Sequence, residues 1–315
     1  MITTIVLMMV GLAGLWITSD HLVAYTIRLA QVLNISTLFA GFVMLSLITG
    51  LPELAIALQA IIERAPSLST GDLIGSNLVN TSLVIGIPLL FYGPVTIGSK
   101  MFKKKASLLI GITILMATIF LKTSITRPFA LLLITIYPIT LIALWLTSRN
   151  NYTGEHNDIP YTAEPANVIV IKLLLITAGL FISTKLVVAQ AILLAQELGT
   201  APIYLGTTIL AVGTSLPEIA LNLQAFRRGD YDLAIGNAFG SVLEVGTLVL
   251  GILALASPKP ITLTSIWYMA YFQAVAYGTL AIGIIGYRRL SKTTGIILVA
   301  SYAAYAALEV WLHLV

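Results

Sequence analysis

The chain has 315 residues, 58% of them hydrophobic and 10% charged, with a formal net charge of +4 and no cysteine. That apolar excess excludes an ordinary soluble domain and makes the chain a multi-pass protein of the cell membrane, with the lipid bilayer as its solvent. The missing cysteines exclude disulfides and thiolate metal sites. The basic residues sit in short clusters between apolar runs, the way membrane topology is encoded, so no nucleic-acid partner is expected.

Taken in order, apolar stretches long enough to cross a bilayer run over 2–30, 36–63, 69–92, 104–121, 128–147, 167–196, 201–226, 233–256, 261–287 and 293–314. No Lys or Arg precedes Arg28, so the first stretch lacks the basic segment of a cleaved signal peptide and reads as a span. The predicted fold class is therefore an all-α integral membrane protein with ten transmembrane helices. The one sizeable polar interruption divides it: 1–147 is a first five-helix repeat, 148–166 a cytoplasmic linker and 167–315 a second five-helix repeat. With the N-terminus outside, inner loops and span ends hold roughly twelve basic residues against five elsewhere. Both termini then lie outside. Because five is odd, two similar halves must enter the membrane from opposite sides, the inverted-repeat plan of secondary transporters.

The halves carry a real repeat. Gly41–Gly86 aligns without gaps on Gly206–Gly251 at an offset of 165 residues, with about 18 identities in 46 positions. These two segments, 41–86 and 206–251, are the predicted ion-binding repeats. The identities include Leu51-Pro52-Glu53 against Leu216-Pro217-Glu218, and Gly75-Ser76 against Gly240-Ser241. Shared hydropathy alone would not reproduce these motifs in one register.

Glu53 and Glu218 fall near the centres of the second and seventh spans, where a carboxylate is costly and faces the protein interior or water. Pro52 and Pro217 lack an N–H and clash with the preceding turn, so the carbonyls of Ile48 and Gly213 lose their donor. A broken helix whose free carbonyls and hydroxyls surround a carboxylate suits Ca²⁺ or Na⁺, and not a soft metal. A structural kink is the alternative, but no cation lies within a few turns of either glutamate on its own helix. The third and eighth spans bring Gly71-x-x-x-Gly75-Ser76 and Gly236-x-x-x-Gly240-Ser241, which permit close helix approach. Ser76 and Ser241 could satisfy only their own helices. Asn80 and Glu244 lie near span centres and are harder to assign to packing.

At these residues the chain resembles the calcium/cation antiporter superfamily, most closely its prokaryotic sodium/calcium exchanger branch with two inverted α-repeats. Gly213-Thr214-Ser215-Leu216-Pro217-Glu218 matches that branch's motif in full. The resemblance implies that Glu53 and Glu218 hold Ca²⁺, with backbone oxygens at Thr49 and Thr214. It also implies that Na⁺ uses Ser76, Asn80, Ser215 and Ser241. The chain departs from the family pattern at Gly50, usually a serine, and at Asp72, commonly an asparagine. At Val245 the family often has an acid or amide; here the acid stands one position earlier, at Glu244, rotated by about 100° around the helix.

The expected function is antiport of Ca²⁺ for a monovalent cation, Na⁺ favoured, by alternating access around a midplane site. The alternative is Ca²⁺/H⁺ exchange with Glu244 as proton carrier; a passive cation channel is the weaker third reading. Two facing carboxylates repel one another when empty, so monovalent ions must refill the site before it reorients. Ca²⁺ and Na⁺ are the expected ions, with no organic cofactor and no protein partner. His21, His156 and His313 do not cluster, and no hydrolase or zinc-protease motif occurs, so an enzyme is not expected. Asp20 and Lys185 stand in equivalent places at the 165-residue offset, to pair across the halves or to reach the interface.

Overall fold

The computed structural model describes residues 2–62, 66–97, 99–122, 124–148, 164–197, 211–263 and 268–314. Most of the predicted linker and the start of the predicted seventh span, 201–210, lie outside the described residues. The first span is α1 (Ile2–Leu33); the second is assembled from α2 (Thr37–Ala40), a π-helical turn (Gly41–Leu45), α3 (Ser46–Thr49) and α4 (Leu51–Ile62). Next come α5 (Pro66–Tyr92), α6 (Ser99–Phe120), α7 (Arg127–Ser148) and α8 (Ala166–Glu197). The second half continues with α9 (Ala211–Thr214), α10 (Leu216–Arg227), α11 (Tyr231–Leu243), a π-helical turn (Glu244–Val249) and α12 (Leu250–Ala256). It closes with α13 (Met269–Ala281) and α14 (Lys292–Leu314). Among the described residues eight helices are long and apolar enough to cross a membrane, and α6 adds a shorter apolar segment, Ala106–Phe120.

Burial divides the helices into a centre and a rim. In α5 89% of the apolar window is buried, and in Tyr231–Ala256 83%, against 22% in α1, 17% in α7 and 22% in α8. The two central spans therefore meet almost no lipid, which is why they can carry Asp72, Ser76, Asn77, Asn80, Asn237, Ser241 and Glu244 without an unsolvated polar group facing hydrocarbon. The rim turns Val6, Met9, Ile17, Ile139, Leu146 and Leu175 outward. At 32 residues α1 is about 48 Å long, well beyond a hydrocarbon core of about 30 Å, so its polar residues can reach an interface.

Contacts recur in reciprocal pairs at the 165-residue offset. Where α1 packs on α8, a Cβ on Gly14 would lie 2.4 Å from Ser183 Oγ, and one on Gly179 would lie 3.1 Å from Thr18 Cγ2; Gly14 and Gly179 are counterparts, as are Thr18 and Ser183. The loops do the same. β1 (Val95–Thr96) pairs antiparallel with β4 (Arg289–Leu290), and β2 (Ser124–Ile125) with β3 (Ile261–Thr262). β2 and β4 are counterparts at that offset, and β1 and β3 are so within one residue, so each loop pairs with the non-equivalent loop of the other half. These two-residue strands were not anticipated; they tie off backbone groups at the ends of the spans.

The small-residue motif of α11 does what its spacing predicts. A Cβ on Gly236 would stand 2.2 Å from Leu38 O, and one on Gly240 would stand 2.3 Å from Phe42 O. From the opposite side, a Cβ on Gly41 would meet Leu233 O at 2.2 Å. Only glycine admits backbones this close. The counterparts of Leu38 and Phe42 in the second half, at 203 and 207, lie outside the described residues.

Candidate functional site

Both proline-glutamate segments interrupt their helix by a single residue. α3 ends at Thr49, Gly50 takes φ −77° and ψ −5°, and α4 begins at Leu51. α9 ends at Thr214, Ser215 takes φ −86° and ψ 6°, and α10 begins at Leu216. Past each break the chain rejoins the helix by the same bond, Leu54 N–H to Gly50 O at 3.0 Å and Ile219 N–H to Ser215 O at 3.1 Å. The absent proline N–H explains why two different residues adopt nearly the same local geometry. Each break places a glutamate in the first turn of the following helix.

The two breaks meet the two central spans through reciprocal hydroxyl contacts. Thr49 Oγ1 lies 3.5 Å from Ser241 Oγ, and Ser76 Oγ lies 3.4 Å from Thr214 Oγ1. Each threonine donates to the carbonyl three residues back, Ser46 O and Ala211 O, both at 3.2 Å. A threonine hydroxyl has one proton, so the serines are the donors across the copies. Glu53 and Glu218 are fully buried among these groups, and none of their four carboxylate oxygens has a hydrogen-bond partner. Glu218, Asp72 and Glu244 all act electrostatically on Glu53. Among the described residues no ion pair reaches these acids, and no three acidic or imidazole side chains converge to hold a metal by themselves. A cation held here would need hydroxyl or backbone oxygens as well as carboxylates.

Asn80 and Ser215, both predicted, are completely buried with free polar atoms. Glu244, also predicted, lies in the same cluster. It opens the π-helical turn, and its carboxylate rests on Gly50: a Cβ there would lie 2.6 Å from Oε1 and 2.8 Å from Oε2. All nine predicted residues (Thr49, Glu53, Ser76, Asn80, Thr214, Ser215, Glu218, Ser241 and Glu244) are thus buried on the broken helices or the two central spans. A cavity of about 800 Å³ borders the breaks, lined by Pro52, Gly213 and Thr214 with Thr184 and Lys185 of α8.

Two acids had no assigned role in the sequence. Asp72 is buried with neither carboxylate oxygen bonded. Its counterpart Asn237 donates to Asn222 Oδ1 at 2.9 Å, and Asn222 in turn donates to Val84 O and Ala234 O, each at 3.1 Å. The first copy has Ala57 in place of Asn222, so Asp72 has no amide to meet. The signal was in the alignment: an acid facing an amide at the repeat offset. Tyr137 of α7 was also missed; it is buried, its hydroxyl is free, and Glu244 acts on it. Asp20 does not pair with Lys185. Its Oδ1 accepts from Arg227 at 2.7 Å and from Arg228 at 2.6 Å, which sit closer along the α1–α10 contact, while Lys185 is exposed.

The model of the family described as sodium/calcium exchanger protein matches residues 3–146 and 168–311. The chain belongs to that family. It is a multi-pass membrane transport protein and not an enzyme. Its relatives include the putative antiporter CaxA of Alkalimonas amylolytica, 28% identical over 97% of this chain and 98% of the relative. The inner membrane protein YrbG of Escherichia coli K12 is 25% identical, covering 99% and 98%. The sodium/calcium exchanger MaX1 of Methanosarcina acetivorans is 24% identical, covering 95% and 96%. Among solved structures, the sodium-calcium exchanger NCX_Mj soaked with Na⁺ and Ca²⁺ superposes with a TM-score of 0.81 at 24% identity, covering 98% of each chain. The exchanger's fold is this chain's fold, with two family repeats.

Proposed function

We propose that this family member exchanges Ca²⁺ for a monovalent cation, with Na⁺ as the favoured counter-ion, by alternating access around Glu53 and Glu218. One observation carries the reading: two buried, unpartnered glutamates lie where the copies meet through the reciprocal contacts Thr49–Ser241 and Ser76–Thr214. Removing a carboxylate from water without a partner is costly, and a dehydrated cation is the partner these oxygens suit. Glu53 and Glu218 balance the charge of one Ca²⁺, with backbone oxygens of Thr49 and Thr214 completing its shell. Ser76, Asn80, Ser215 and Ser241 serve Na⁺ at overlapping positions, and Glu244 is a further cation-binding residue beside them. The names of the exchangers MaX1 and NCX_Mj and of the putative antiporter CaxA support this assignment.

The reading includes ten spans in two inverted halves, 1–147 and 167–315, with both termini outside and 148–166 cytoplasmic; the strand pairs support the inversion and the distribution of basic residues supports the orientation. A loop that pairs with the non-equivalent loop of the other half shares its side of the membrane, so equivalent loops fall on opposite sides. Inversion gives one site two related gates, as a carrier needs. The position of Glu244 beside Gly50 favours a second reading, Ca²⁺/H⁺ exchange with Glu244 as the proton carrier. Uptake of ⁴⁵Ca²⁺ into proteoliposomes, with Na⁺ and pH gradients imposed separately, decides between them. Uptake driven by an outward Na⁺ gradient at fixed pH is the expected result; uptake driven only by a pH gradient would select the proton version. Flux independent of either gradient would mean a channel.

A further inference from the structure

The two departures from internal symmetry at the site are in contact. The second copy has Ser215 at its helix break and Val79 at the place facing it by symmetry; the first copy's break has Gly50, and Glu244 faces it. A Cβ at position 50 would collide with the carboxylate and with nothing nearer, its closest atoms being Glu244 Oε1, Cδ and Oε2 at 2.6, 2.7 and 2.8 Å. Those atoms are the end of a flexible side chain, so a larger residue would displace the carboxylate and leave the helices in place. Glu244 itself is 2% exposed, its Oε2 has no partner, and it lies within electrostatic reach of Glu218, Glu53 and Tyr137.

We infer that Gly50 and Glu244 form one specificity-determining unit: the missing side chain at Gly50 seats the Glu244 carboxylate, which delivers from the eighth span the cation-binding oxygen that Ser215 delivers from the seventh. The ligand has moved to the facing helix and gained a negative charge. This deepens the proposed exchange function and rests on it. At this corner the site presents a carboxylate to the cation where the second copy presents a hydroxyl, so Ca²⁺ is held more strongly there than by a neutral oxygen.

A double-mutant cycle on ⁴⁵Ca²⁺ uptake tests the unit. Glu244→Ala and Glu244→Gln each raise the Ca²⁺ concentration for half-maximal uptake about tenfold, the scale of one lost charge-assisted contact. Gly50→Ala produces a similar loss in the wild type by displacing the carboxylate, and adds nothing in the Glu244→Ala background. If the two losses instead multiply, the residues act independently and the inference falls. A wild type without Ca²⁺ uptake would reject the exchange function, and the pair is then judged on melting temperature in detergent, which needs no transport. There, Gly50→Ala shifts the wild type and the Glu244→Ala protein by different amounts; equal shifts overturn the inference. Collapse of folding in Gly50→Ala would also overturn it, because it would place Gly50 in helix packing.

Discussion

The two copies of the repeat agree where charge meets hydroxyl and differ immediately around it. Both supply a Pro-Glu break, a threonine before it and a serine on the central span, and these residues touch across the copies in matching pairs. Around that shared set the second copy is tied down: Asn222 and Asn237 bridge α10 and α11 and reach Val84 O. The first copy has Ala57 and an unpartnered Asp72 at the corresponding places. The second copy gives up its polar residue at Val245 where the first has Asn80, and sends Glu244 across to Gly50 instead. The shared residues thus form the core of the proposed cation site, and the unshared ones make its two faces unequal.

The comparison can be broken at several points. Gly240→Val has the largest expected effect, since even its Cβ would lie 2.3 Å from Phe42 O; the loss is about 3 kcal/mol or more, read as failure to recover folded protein in detergent. Asn222→Ala leaves Val84 O, whose helical donor position is Pro88, and an Asn237 amide without partners and costs about 2 kcal/mol on a melting curve. If that variant melts like the wild type, the second copy is not the more firmly held one. Asp72→Asn goes the other way. Removing a buried, unpartnered carboxylate raises stability by about 1 kcal/mol; a simultaneous fall in transport would show that the acid is kept for function. Asp20→Ala, which frees two partly exposed arginines, changes stability by about 0.5 kcal/mol and leaves Ca²⁺ affinity unmoved.

Much of the fold was legible because hydropathy in a membrane reports element length directly. The predicted 36–63 and 128–147 are Thr37–Ile62 and Arg127–Ser148, and proline chemistry predicted a break before each glutamate, found at Gly50 and Ser215. The candidate residues could be picked out because the sequence holds their pattern twice, and all nine are buried. What could not be read depends on directions that sequence spacing does not encode. Glu244 was expected at the site, but its partner was not: that its carboxylate rests on the open face of Gly50 depends on how the broken helix and the central span pack. The offset relates Asp20 and Lys185 as equivalent places, and equivalent places need not touch; α1 meets α10, so Arg227 and Arg228 are the neighbours of Asp20, while Lys185 is exposed. The loop strands carry too few residues for any periodic signal.

On the proposed reading both copies share one cation site, with Glu53 and Glu218 as joint holders of Ca²⁺. The most direct measurement is ⁴⁵Ca²⁺ uptake into proteoliposomes by Glu53→Gln and Glu218→Gln, each purified as a folded protein with a wild-type melting profile. Loss of uptake by about a hundredfold or more in both variants is predicted, because each removes half the charge that balances the ion. Wild-type uptake by either variant would contradict a site built from both copies.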